Sequence, residues 1–186
     1  MDTSAPTAGA APMEAAAEAQ PPMERLSEAV AKNPLDFDSW TQLLALVESE
    51  AETPPETVAA TYDHFLAEFP LCFGYWNKYA MYEFSLGTRT AADGAAPAVS
   101  PADASQRARA VYERGVAAVR HSVDMWVKYC EFLVQTAHAP LEDCRSALEA
   151  AVAACGSDPM AGTLWDLYIQ LETVNVRCLT VDCDCK

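Results

Sequence analysis

Glycine, histidine and positive charge are all scarce in this chain. Seven glycines in 186 residues, against an abundance of alanine, speak against a strand-and-turn architecture and for helices. Twelve Lys and Arg stand against 27 Asp and Glu, for a net charge of -15. A chain so short of cations is ill-suited to wrapping nucleic acid, whose affinity comes mainly from neutralised phosphates. No apolar run reaches the ~18 residues of a membrane span. The N-terminus lacks the basic-then-apolar pattern of a secretory signal. Without such a signal, a disulfide framework is not expected from the seven cysteines. Cys72, Cys130, Cys144 and Cys155 sit in apolar helical context, where a free thiol serves as a small hydrophobe. Cys178, Cys183 and Cys185 crowd the C-terminus without a histidine or zinc-ribbon spacing, so no metal site is assigned. Nor is there an H-E-x-x-H, a G-x-S-x-G or a glycine-rich phosphate loop, and no catalytic or cofactor-binding residue is assigned.

What the sequence does contain is helical periodicity. Residues 1–22 are Ala- and Pro-rich, with almost no large apolar side chain, and are expected to be disordered. A helical domain is expected over 23–173. Apolar spacing of three and four predicts a short helix from Met23 to Asn33, then helices over 36–50, 55–69, 73–86, 105–121, 123–136, 140–156 and 160–173. Residues 88–104 carry Ala, Pro, Ser, Asp and Gly and are expected to form a flexible insertion. Residues 174–186 show no apolar pattern and are expected to form an irregular tail, a truncated or alternative ending.

The four tryptophans expose a repeat. Six residues before Trp40, Trp76, Trp126 and Trp165 lie Pro34, Pro70, Arg120 and Pro159, and three residues after them lie Leu43, Tyr79, Tyr129 and Tyr168. Leu26, Tyr62 and Tyr112 stand fourteen residues ahead of the first three. The fourth unit shows Leu148 and Val152 displaced by a three-residue insertion near Cys155–Asp158. The intervals between tryptophans are 36, 50 and 39, and the long one holds the 88–104 insertion. Each unit is a helix, a short turn and a Trp-bearing helix. Trp and the residues at +3, +4 and +7 share one helix face. Only stacked neighbours can cover such a face, which predicts an all-α superhelical array of antiparallel hairpins. The expected core signature is Trp40, Leu43, Tyr62, Trp76, Tyr79, Glu83, Tyr112, Trp126, Tyr129, Trp165, Tyr168 and Glu172. At this spacing the aromatics read as core rather than as base-stacking platforms. Glu83 and Glu172 read as carboxylates that orient the stack. Arg107, Arg109, Arg114 and Arg120 alternate with acids and read as a salt-bridged face.

Trp76, Tyr79 and Glu83, with Trp165, Tyr168 and Glu172, resemble the half-a-TPR (HAT) repeat, a TPR-like α-solenoid unit. Trp40, with Leu43, and Trp126, with Leu133 in the Glu position, depart from it. The stretches from Asn33 to Trp40, from Phe69 to Ala80 and from Ser122 to Tyr129 resemble the N-terminal repeats of the pre-mRNA-processing factor 39 family. That resemblance implies a nuclear, non-catalytic scaffold of the U1 small nuclear ribonucleoprotein, binding its protein subunits during 5′ splice-site recognition, with RNA contact indirect or weak. It also implies that family-type dimerisation, through C-terminal repeats absent here, is lost. Scaffolds of mRNA 3′-end cleavage or ribosomal RNA processing use the same repeat and are the second reading. An enzyme is the third, and no catalytic constellation supports it.

Overall fold

The computed structural model describes residues 21–50, 53–88, 99–136 and 139–181, with side chains to Val174. The expected disorder of 1–22 thus falls almost wholly outside the described residues, as do 89–98 of the insertion and 182–186 of the tail. The chain divides at Glu68–Phe69 into two compact units. No strand occurs among the described residues.

The first unit holds α1 (Pro22–Lys32), α2 (Phe37–Ser49) and α3 (Pro55–Glu68). Proline opens α1 and α3, where the missing N–H has no helical partner to lose. Asp36 caps α2: its carboxylate accepts from the Ser39 amide at 3.4 Å and from the Ser39 hydroxyl at 2.7 Å. Those bonds hold its acid below the usual carboxylate range. Helix α2 packs between α1 and α3. Trp40, Leu43, Leu44, Val47, Tyr62 and Phe65 form the buried centre.

The second unit holds α4 (Phe73–Ser85), α5 (Pro101–Ala118), α6 (Val123–Glu131), α7 (Leu141–Cys155) and α8 (Gly162–Val181). The Trp-bearing helices α4, α6 and α8 touch in sequence and form one layer. Helices α5 and α7 pack against them as the second layer. This alternation is the stacked-hairpin arrangement expected from the repeat.

Three boundaries differ from expectation. Residues 101–104 belong to α5 and not to a flexible insertion. Pro101 occupies the first helical position, and Ser100 caps it, accepting from the Asp103 amide at 3.1 Å and donating to its carboxylate at 2.8 Å. Ala104 is completely buried. Gly87, at the end of α4, faces this start so closely that a Cβ there would lie 2.6 Å from Ala104 Cβ and 2.9 Å from Pro101 Cα. Second, α8 runs through residue 181, so the first eight residues of the expected irregular tail are helical. Third, the helix expected over 123–136 changes at Phe132 to a π-helical turn, Phe132–Thr136. Phe132 and Leu133 in this turn are both buried. Phe132 stands edge-on to Phe84 at 5.6 Å and lies 5.0 Å from Tyr112.

Candidate interaction surface

The repeated tryptophan is placed by a repeated hydrogen bond. Trp40 Nε1 donates to the Pro34 carbonyl at 2.8 Å, Trp76 to Pro70 at 2.9 Å and Trp126 to Arg120 at 2.8 Å. Each acceptor lies six residues back, just past the end of the preceding helix, where carbonyls lack helical partners. The indole thus fixes the turn of its own hairpin. In the fourth unit the acceptor is Gly156, nine residues back at 3.0 Å. Gly156, and not Pro159, is therefore the structural counterpart, and the three-residue insertion lies between it and Trp165.

Tyrosines then tie helix to helix. Tyr129 donates to Glu113, sixteen residues back, and Tyr168 to Glu149, nineteen back, both at 3.3 Å. The three-residue difference is the same insertion, so the two bonds are equivalent. Tyr62 donates to Glu48, and Tyr112 to Asn77 Oδ1 at 2.6 Å. Burial pushes the Tyr112 phenol up to about 12, so it remains a donor at neutral pH. Tyr79 and Leu43 are buried. Both signature glutamates meet arginines, by different routes. Buried Glu83 has Arg107 of the following helix at 3.8 Å. Glu172 receives Arg145 of the preceding helix at 2.6 and 3.1 Å. Those two bonds hold the Glu172 acid below its usual range.

Of the four arginines expected on a salt-bridged face, Arg107 and Arg109 form ion pairs, while Arg114 and Arg120 make contacts of other kinds. Arg109 bridges Glu113 and Asp143, linking α5 to α7. Arg114 lies over the Trp76 ring, 5.4 Å from its centroid. Arg120 supplies its carbonyl to Trp126. Burial raises the thiols of Cys130, Cys144 and Cys155, which disfavours the nucleophilic thiolate. Among the described residues no three His, Cys, Asp or Glu side chains converge on a metal-sized site. His138 and the side chains of Cys178, Cys183 and Cys185 lie outside the described residues.

Two grooves follow the repeat. One, of about 440 Å³, runs between α1 and α3 over Trp40 and Leu43, with His64 on its wall. The equivalent, of about 330 Å³, runs between α5 and α7 over Trp126 and Tyr129. The second is crossed by the Arg109–Asp143 pair. Apolar side chains also reach solvent. Leu35, Leu71 and Met160 each precede a tryptophan by five residues and protrude from the hairpin turns. That common offset is visible in the sequence but carries no helical periodicity, and periodicity alone does not find it. On α8, Trp165 is 42% exposed and Ile169 61%, whereas the other three tryptophans are 4–8% exposed.

A sequence profile described as the PRP39 N-terminal HAT repeat matches residues 24–182. Pre-mRNA-processing factor 39 of Schizosaccharomyces pombe is 32% identical over 157 residues, covering 80% of this chain and 23% of the relative. The factor of the same name from Danio rerio is 38% identical over 154 residues, covering 81% and 18%. Crooked neck-like protein 1 of Mus musculus is 27% identical over 164 residues, covering 81% and 21%. The chain thus spans about a fifth of the length of these relatives. With the tryptophan register, the stacked hairpins and the profile in agreement, the chain belongs to the PRP39 N-terminal HAT-repeat family.

Proposed function

We propose that this chain is a non-catalytic protein-binding scaffold of nuclear pre-mRNA splicing. Its partners are protein subunits of the U1 small nuclear ribonucleoprotein, and its process is 5′ splice-site recognition. The supporting observation is the repeat itself. Its polar groups are spent on holding hairpins together: indoles on turn carbonyls, tyrosines and arginines on carboxylates of the adjacent helix. What remains for a partner is the surface between and beyond them, apolar at the turns and acidic elsewhere. The PRP39 family match points the same way. Direct RNA binding is weak in this reading, because the net charge is -15 and Arg107, Arg109 and Arg145 already face carboxylates.

Recovery of the tagged chain from nuclear extract, followed by sequencing of the RNA that comes with it, tests the proposal. Enrichment of U1 RNA that is lost after protease treatment of the bound complexes supports it. Enrichment of ribosomal precursor RNA or of cleavage-factor subunits in its place overturns it in favour of the second reading. Recovery of neither class above a charge-matched control overturns both.

A further inference from the structure

We propose that two Pro-Leu-x-Phe turns, Pro34–Phe37 and Pro70–Phe73, anchor a protein partner whose surface offers apolar pockets with a basic rim. The inference rests on the protein-binding reading above and names the surface that does the binding. The same residues recur in the same register: Pro34, Leu35 and Phe37 ahead of Trp40, and Pro70, Leu71 and Phe73 ahead of Trp76. Their exposure recurs too. Leu35 is 70% exposed and Leu71 72%, and Phe37 and Phe73 are 40% each. Both prolines are exposed beside them. Single surface leucines are ordinary. A leucine and a phenylalanine presented alike in two hairpins form a repeated apolar patch, of the kind that marks an interaction site.

The turns are held rigid from within. Each core indole takes the proline carbonyl, at 2.8 Å for Trp40 and 2.9 Å for Trp76, and the leucine is the next residue. The Asp36 amide donates to the Asn33 carbonyl at 3.1 Å, and the Cys72 amide to the Phe69 carbonyl at 3.2 Å, at equivalent positions. The leucines therefore stand on pinned backbone, and little ordering cost remains for binding. Repeats stack through helix faces, so neither turn is a face that a further hairpin would take. Charge selects the occupant. A net charge of -15 repels nucleic acid, an anionic membrane and a second copy alike. Asp36 and exposed Asp38 flank Leu35. The Ser39 bonds keep the Asp36 carboxylate charged. A basic rim around the partner's pocket complements them.

Purified U1 particles titrated onto the immobilised full chain, with bound U1 RNA as the readout, test this. Leu35→Asn and Leu71→Asn should each weaken retention about tenfold, and the double variant more. Circular-dichroism melts should not change, because neither leucine is buried. Asp38→Lys should weaken retention at low salt and less so at high salt. Met81→Asn, at an exposed apolar residue away from the turns, should leave retention unchanged. If the double variant retains particles as well as the wild type, the anchor proposal falls and the scaffold reading stands. If the wild type retains none, both fall. Equal losses from Met81→Asn and the leucine changes overturn the proposal as general stickiness. It is also overturned if the leucine changes abolish binding of protein-free U1 RNA, or dissolve a dimer of this chain.

Discussion

The Trp76 side chain combines two separable contributions. Its ring fills the space beside Gly115 and Met125 and lies under Arg114, and its N–H holds the Pro70 carbonyl. Trp76→Ala removes both and should cost ~3–5 kcal/mol, a large share of a small array's stability. Trp76→Phe keeps most of the packing and loses the bond, and should cost nearer ~1–2 kcal/mol. Thermal melts followed by circular dichroism separate the two, and equal melting points for both variants would refute the division. Glu172 gives a pH signature. Its acid is lowered in the folded state by the Arg145 bonds. The stabilisation it brings is therefore full above the ordinary value of 4.5 and fades as pH falls through the lower folded value. Glu172→Gln should flatten that part of the acid limb in melts between about pH 3 and 6, and leave its slope above pH 6 unchanged.

At the scale of the element, α4 and the start of α5 meet closely at Gly87. Gly87→Ala places a methyl group against Pro101 backbone and Ala104, and should destabilise by ~1–3 kcal/mol. Ser100→Ala removes the cap of α5 and should cost ~1 kcal/mol. Urea titrations of both variants check these values. If 88–104 were a featureless insertion, as composition suggests, neither change would matter. The sequence shows most helices because Trp40, Leu43, Leu44 and Val47, or Val58, Tyr62, Phe65 and Leu66, mark one face at three-and-four spacing. It hides the start of α5 because proline and small residues there read as loop, although Ser100, Pro101 and Asp103 together spell a cap. It hides the π turn because Phe132 and Leu133 look like ordinary helical neighbours. The widened turn is a feature of the backbone over Phe132–Thr136, which side-chain type does not mark. Of the candidate surface, the tryptophan register was legible, while the carbonyl each indole seeks was not. A turn carbonyl leaves no mark in side-chain sequence, and so Pro159 stood where Gly156 belongs.

Across the whole molecule, a net charge of -15 opposes binding to nucleic-acid phosphate. A single-stranded RNA of random sequence should remain unshifted in gel-mobility assays at about 10 µM chain and 150 mM salt. A retarded band under those conditions would show that the arginines are available to phosphate. The same Trp165 that lies half-open in the first turn of α8 has an optical consequence. The chain carries four indole emitters of similar hydrogen bonding, three shielded and one facing water. Its fluorescence should therefore resolve into a blue, quencher-resistant component and a red one that acrylamide removes. The red component reports the state of one helix face alone, with no label attached.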